Sequence, residues 1–236
     1  MKGKFYGIGI GPGDPGLVTV KAVEILNKVD IVIAPETKHG KGSTAFQIVQ
    51  GHIQDHSKVR LQIFPMTYDR DALEKSWIQN RMEIVDFLHS GKSVGFITLG
   101  DPMIYSTYIY LLRDIQNQGF ETETIPGIPS FCAAASKLGI PLTEGDENLC
   151  IIPAAYDSDN IDQLLASGDN FVLMKPSKDF PHVVDTLERH DLAENAVLIS
   201  KCGHEDEKIE YDVKKQRDEK IDYLSMLIVK RGRTNQ

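Results

Sequence analysis

The chain is poor in cysteine and tryptophan, with three of the first and one of the second in 236 residues. Cys132, Cys150 and Cys202 are odd in number and fall at no metal-ligand spacing. They therefore argue against a disulfide framework and against a protein-bound metal, and read as buried free thiols of a reducing cytoplasm. No apolar run approaches the roughly 18 residues that a membrane helix needs, so no membrane partner is expected. The apolar stretch behind Met1-Lys2-Gly3-Lys4-Phe5 is short and broken by glycines, and reads as a first strand, not a signal peptide. Positive charge is in deficit: 26 Lys and Arg stand against 34 Asp and Glu, for a net charge of −8. Without a positive field, nucleic acid is not an expected partner, and any polyanionic substrate must meet a local cluster of cations or N–H groups. Repeats and low-complexity segments are absent. No Ser-His-Asp or Cys-His spacing stands out, and the carboxylates of Glu144, Asp146 and Glu147 read as a loop at a domain junction. The lack of an evident acid, base or nucleophile points to a reaction that depends on holding two reactive molecules in line.

What is present is a regular alternation. Apolar runs bounded by Gly and Pro predict strands at 5–10, 31–34, 59–64, 93–99 and 121–125, with helices between them at 19–28, 43–52, 69–89 and 105–118. In the first helix Val20, Val23, Ile25 and Leu26 form an apolar stripe, with Thr19 as cap. Such alternation predicts a mainly parallel sheet with helices on both faces. Pro126-Gly127-Ile128-Pro129 breaks the pattern. Beyond it come a small-residue helix at 130–138, strands at 149–153, 171–174, 196–200, 208–212 and 223–230, and helices at 160–166 and 180–189. More strands and fewer helices predict a mixed sheet. The fold class is therefore α/β with two α/β domains, 1–126 and 127–236. The charged stretch 214–222 reads as a solvated turn or edge, and 231–236 as a frayed tail.

Residues 95–111 are the most informative stretch. An apolar strand runs into Gly100-Asp101-Pro102, and a Ser/Thr-opened helix follows. The carboxyl end of a strand is where open α/β sheets bind ligands. Here Gly100 lets backbone approach a ligand, Asp101 offers a fixed carboxylate and Pro102 stiffens the turn. The first strand meets a similar loop, Gly11-Pro12-Gly13-Asp14-Pro15-Gly16. Gly11, Gly13 and Gly16 satisfy G-x-G-x-x-G, with Glu36 about 20 residues on. However, Pro12 and Pro15 remove N–H groups that would cradle a pyrophosphate, and the next helix starts too late to face one. That disfavours NAD and leaves two readings open, a loop lining a different adenosyl cofactor and a tight connection without ligand. Gly40-Lys41-Gly42-Ser43-Thr44 lacks the order of a P-loop and reads as a loop ending in a helix cap. His39, His52 and His56 read as solvated, and 204–207 as a polar turn.

Three motifs then carry a resemblance over nearly the whole chain. Gly9-Ile10-Gly11-Pro12-Gly13-Asp14-Pro15-Gly16-Leu17-Val18-Thr19-Val20-Lys21-Ala22 closely resembles the opening signature of the tetrapyrrole methylases, S-adenosylmethionine (SAM) enzymes of siroheme and cobalamin synthesis. Gly100-Asp101-Pro102 is similar to their second loop, and Pro126-Gly127-Ile128-Pro129-Ser130-Phe131 to their third motif, with Pro129 where the family more often has a small hydroxyl residue. Within the family, the stretches 100–107 and 130–147 look most like the precorrin-2 / cobalt-factor II C20-methyltransferases. The resemblance implies SAM in a cleft between the two domains, a homodimer and a tetrapyrrole substrate. It implies a SAM pocket lined by Pro12, Gly100, Asp101, Ile104, Ser130 and Phe131, with Met174, Tyr223 and Ser225 from the second domain, and a site ordered by Tyr105. Lys38, Lys41, Lys175 and Lys178 are the cations expected to meet the substrate's carboxylates. A sister methylase acting at another ring carbon, a nicotinamide dehydrogenase and a non-catalytic binding protein are the rival readings.

Overall fold

The computed structural model describes residues 2–65, 70–154 and 159–232. The chain divides into two units, Met1–Pro129 and Ser130–Gln236.

The first unit runs β1 (Lys4–Gly9), α1 (Val20–Lys28), β2 (Ile31–Glu36), α2 (Thr44–Val49), β3 (Val59–Ile63), α3 (Arg70–His89), β4 (Val94–Thr98), α4 (Tyr108–Asn117) and β5 (Glu121–Ile125). Its strands form one sheet, ordered β3-β2-β4-β1-β5, and every pairing is parallel. Successive side chains of a strand point to opposite faces, and both faces are filled. Ile8, Val32 and Ile97 pack with Ile25 and Leu26 of α1 on one side. Phe5, Ile33 and Phe96 pack with Ile84 of α3 and with Tyr108 and Leu111 of α4 on the other. Burial on both faces is what a parallel sheet between helices requires.

The second unit runs α5 (Ser130–Leu138), β6 (Leu149–Pro153), α6 (Asp159–Ser167), β7 (Asn170–Met174), α7 (Phe180–Arg189), β8 (Ala196–Ser200), β9 (Lys208–Glu210) and β10 (Ser225–Lys230). The sheet order is β6-β7-β10-β8-β9. Only β6 and β7 pair in parallel; β10 runs antiparallel to both neighbours, and β8 to β9. The mixed sheet expected from the run of strands is present. At its far end Lys230 is buried and donates to the Pro141 carbonyl and to Glu147, each at 3.1 Å, while Asn170 donates to the same carboxylate at 2.9 Å. Glu147 thus anchors the loop before β6 to the sheet inside the second unit. The Asn170 and Lys230 donors hold its carboxyl below the usual carboxylate range.

Several expectations need correction. Val20 is 87% exposed and does not belong to the buried stripe of α1, which is Ala22, Ile25 and Leu26. It sits in the first turn, two residues before Ala22, on the opposite side of a 3.6-residue helix. The helix expected at 105–118 starts only at Tyr108, because the loop behind β4 is longer than the Ser/Thr signal suggested. The helix expected at 43–52 is α2 followed by a 3₁₀ turn at Gln50–His52. The last strand begins at Ser225, not 223, since the Asp222 carboxylate caps the Leu224 N–H at 2.8 Å. The stretch 214–222 is tied down: Val213 before it is fully buried, Ile221 packs on the core, and Arg217 grips Asp185 bidentately at 2.7 and 2.8 Å. Cys132 and Cys150 are only half-buried, whereas Cys202 is buried; all three are free. Residue 69 of the expected third helix and residues 233–236 of the tail lie outside the described residues.

Gly7 is a tight point of the first core. A Cβ there would lie 2.1 Å from the Tyr108 ring, whose hydroxyl pairs with the Thr124 hydroxyl at 2.7 Å. Gly7→Ala is therefore expected to lower the unfolding free energy by about 3 kcal/mol, as an overpacked core does, measured by urea denaturation.

Candidate functional site

The parallel sheet sets the carboxyl ends of β1, β4 and β5 side by side, because β1 lies between the other two. Their loops are joined through backbone. Gly11 and Gly100 form an isolated antiparallel bridge in which the Gly100 N–H donates to the Gly11 carbonyl at 2.8 Å and the Gly11 N–H to the Gly100 carbonyl at 3.4 Å. Both glycines have positive φ, 79° and 66°, a region closed to most side chains. The third loop presses on this pair. A Cβ on Gly127 would stand 2.1 Å from the Gly100 carbonyl oxygen, and one on Gly9 would stand 2.5 Å from the Gly127 nitrogen.

Asp101 completes the junction. One carboxylate oxygen accepts from the Met103 N–H at 2.9 Å, and the other accepts from the Gly127 N–H at 3.1 Å. Its carboxylate holds one loop's turn and fastens it to the next. Pro102 and Pro12 are buried, and Ile104 is half-buried. At the far end of the loop, buried Ser106 shares a hydrogen bond with Thr98 of β4 at 2.9 Å and accepts from the Tyr108 N–H at 3.2 Å. Between these two anchors Tyr105 has φ of 47° and is 44% exposed.

The neighbouring loops explain the failed dinucleotide fingerprint. Asp14 caps a 3₁₀ turn at Pro15–Leu17 through the Gly16 N–H, and Thr19 caps α1 through the Ala22 N–H. Glu36 is buried and accepts from the Gly42 N–H at 3.1 Å, so its carboxylate braces the loop after β2. Ser43 caps α2. Lys38 and Lys41 are exposed in that loop. His52 and His56 are more than solvated, since their Nε2 atoms lie 3.0 Å from the Pro15 carbonyl and 2.8 Å from the Gln50 carbonyl.

In the second unit the expected residues gather at the entry of β10. Antiparallel pairing sets that entry between the exits of β7 and β8. Met174 pairs with Met226 across the ladder. Lys175 follows at φ 56°, donates its N–H to the Ser225 carbonyl at 3.0 Å, and carries its ammonium 5.4 Å from the centre of the Tyr223 ring. Lys201 mirrors it across β10, at φ 54°, with its N–H donating to the Leu224 carbonyl at 2.7 Å. Buried Ser225 shares a hydrogen bond with Ser200 at 2.7 Å. Lys178 is exposed a short turn beyond Lys175. Ser130 opens α5, half-buried, and Phe131 next to it is buried.

The structure sets Pro12, Gly100, Asp101, Ile104 and Tyr105 in adjoining loops of the first unit, and Met174, Lys175, Tyr223 and Ser225 together in the second. Sequence reading missed Ser106 with Thr98, and Lys201 with Ser200. The Ser/Thr-rich helix opening was the one signal for the first pair; nothing local marked the second. Among the described residues, no group of three or more His, Cys, Asp or Glu side chains comes together to hold a metal ion. Burial, with the Glu207 charge adding to it, pushes the Cys202 thiol up to about 11, so it is not a nucleophile at neutral pH.

A glycine-lined rim at strand ends, with polar backbone edges and an apolar flank from Ile104, fits the adenosyl donor that the sequence implies, because a nucleoside needs close backbone approach and few side chains in its way. Fold and rim together define an α/β protein whose parallel sheet gathers three loops at the carboxyl ends of its strands, the place where open α/β sheets take ligands. The chain matches the Tetrapyrrole (Corrin/Porphyrin) Methylases over residues 4–214 and belongs to that family. It is 37% identical over 231 residues to a probable cobalt-precorrin-2 C(20)-methyltransferase of Methanocaldococcus jannaschii, covering 97% of this chain and 96% of that one. It is 34% identical over 230 residues to the cobalt-precorrin-2 C(20)-methyltransferase of Salmonella typhimurium, covering 97% of each. Among solved structures, a cobalt precorrin-4 methyltransferase matches with a TM-score of 0.77 at 22% identity, covering 96% of this chain and 94% of that one. The Thermus thermophilus uroporphyrin-III C-methyl transferase, complexed with S-adenyl homocysteine, matches with a TM-score of 0.69 at 15% identity, covering 97% of each. These structures share the fold of two α/β units.

Removing the Asp101 carboxylate leaves two N–H donors without their acceptor. Asp101→Ala is expected to speed hydrogen exchange at the Gly127 amide about tenfold or more, consistent with loss of roughly 1–3 kcal/mol of local stability, as read by amide exchange in NMR spectra.

Proposed function

We propose that this chain transfers the methyl group of SAM to the C20 meso carbon of precorrin-2 or cobalt-factor II, in cobalamin biosynthesis. The observation that carries this reading is the near full-length similarity to two chains that are both named for methylation at C20. SAM supplies a methyl group on a sulfonium, already a good leaving group. The protein's part is alignment and exclusion of water, which suits a site without an evident acid, base or nucleophile. In this reading the stitched loops offer Pro12, Gly100, Asp101 and Ile104 to the donor. Ser130, Phe131, Met174, Tyr223 and Ser225 contribute from the second unit, and Tyr105 orders the acceptor side. Lys38, Lys41, Lys175 and Lys178 meet the carboxylates of the tetrapyrrole, which an acidic chain needs local cations to attract. A cytoplasmic homodimer belongs to the same reading.

The test is incubation of the purified protein with carbon-13 methyl-labelled SAM and either metal-free or cobalt-loaded acceptor. Carbon-13 NMR is expected to show one new methyl group on C20. Label on another ring carbon would make the chain a sister methylase, and no label on the ring would end the reading. Lys38→Ala and Lys175→Ala are each expected to raise the acceptor KM about tenfold, as loss of a charge-assisted contact does, with S-adenosylhomocysteine affinity unchanged in calorimetry.

A further inference from the structure

The stretch 222–225, which brings Tyr223 and Ser225 to the entry of β10, is gripped from the exit of β8 by Lys201. The lysine engages Leu224, the residue between those two, on both of its backbone polar groups. The Lys201 N–H donates to the Leu224 carbonyl at 2.7 Å. The Lys201 ammonium pairs with one Asp222 oxygen at 3.4 Å, and the other Asp222 oxygen accepts from the Leu224 N–H at 2.8 Å. The same ammonium pairs with Asp206, and the neighbouring Ser200 shares a hydrogen bond with Ser225 at 2.7 Å. Lys201 is itself fixed in place. Its carbonyl accepts from the His204 N–H at 2.9 Å, and the Glu207 carboxylate holds that turn through the Gly203 N–H at 2.7 Å and through Lys137 of α5 at 2.8 Å. Its φ of 54° is one that Gly or Asn takes more readily. Neither could supply the ammonium, without which Asp206 and Asp222 would repel across the space it fills.

We propose that Lys201 is a positioning residue for the methyl donor: its ammonium draws Asp222 toward Asp206 and so sets Tyr223 and Ser225 in the pose that receives SAM. This rests on the reading that Tyr223 and Ser225 contact the donor, and extends it to a residue that acts through them. A lone exposed ion pair contributes little. Here one ammonium joins two carboxylates, and one of those carboxylates is bound to the backbone between the two donor contacts. Loss of the charge therefore reaches the donor site through a single residue of chain. It does not reach it through the fold at large, because β10 stays paired with β7 and β8 and its Leu227 and Val229 stay in the core.

The experiment compares the wild-type protein with Lys201→Met, Lys201→Arg, Asp222→Asn, Tyr223→Ala and the double variant K201M/Y223A. S-adenosylhomocysteine affinity is measured by calorimetry, acceptor KM at saturating SAM, and Tm by scanning calorimetry. S-adenosylhomocysteine lacks the sulfonium charge, so its affinity reports the pose of the site and not the altered field. K201M keeps the Lys201 N–H and removes the ammonium alone. It is expected to weaken S-adenosylhomocysteine binding about threefold to fivefold, the scale of a partly exposed charge network, with acceptor KM within about twofold and Tm lowered by no more than about 4 °C. D222N, which keeps an oxygen for the Leu224 N–H but loses the charge, should weaken binding to the same extent, and K201R should restore it. Y223A is expected to weaken binding about tenfold. The double variant should then lose less than the product of the two single effects, because Lys201 acts through that residue. Unchanged affinity in both K201M and D222N overturns the proposal, as does a double variant whose losses multiply in full, or a K201R variant as impaired as K201M. If K201M fails to fold, D222N decides with the same threshold. Wild-type affinity in Y223A sinks the reading that this stretch meets the donor, whereas a weakened Y223A beside an unchanged K201M and D222N sinks the role of Lys201 alone.

Discussion

The first unit's candidate site depends on a contact between two glycine backbones. Gly11 and Gly100 exchange N–H···O bonds across the exits of β1 and β4, and Gly127 packs against them so closely that no side chain fits at Gly9 or Gly127. Backbone polar groups at such a junction need partners once water is displaced. The bridge supplies two of them, and the Asp101 carboxylate supplies two more, with one oxygen for the Met103 N–H and the other for the Gly127 N–H. Three loops from distant parts of the chain are thereby held as one rim. A rigid rim suits chemistry that gains its rate from alignment, because a misplaced reactant loses that gain quickly.

The second unit solves a similar problem by other means. Here β10 enters the sheet between the exits of β7 and β8, and a left-handed lysine flanks it on each side. Lys175 and Lys201 close the ladder through their N–H groups, on Ser225 and Leu224. The Lys201 ammonium is paired with Asp206 and Asp222, and the Lys175 ammonium lies over the Tyr223 ring as a cation–π contact.

Much of this was legible in the residues. Apolar runs ending in glycine and proline marked the strands and their exits, and β5, β6, β8, α5 and α7 run over the same residues that the sequence pattern indicated. Thr19 and Ser43 announced helix starts because capping is a local hydrogen bond, closed within three residues. The family was legible from three motifs in order. Less legible were features whose cause is distant: the exposure of Val20, the late start of α4, and the burial of Glu36 against Gly42. Each depends on what the segment meets after folding.

By itself the sequence determined the elements, their alternation and the Gly- and Pro-marked strand exits, since these follow from side-chain periodicity and from the φ limits of Gly and Pro within a few residues. Only the tertiary structure decided which loops meet and what Asp101 holds. The order β3-β2-β4-β1-β5 sets β1 between β4 and β5, and parallel strands bring their exits to one edge. Partners far apart in the chain become neighbours there through strand order, which no local pattern encodes.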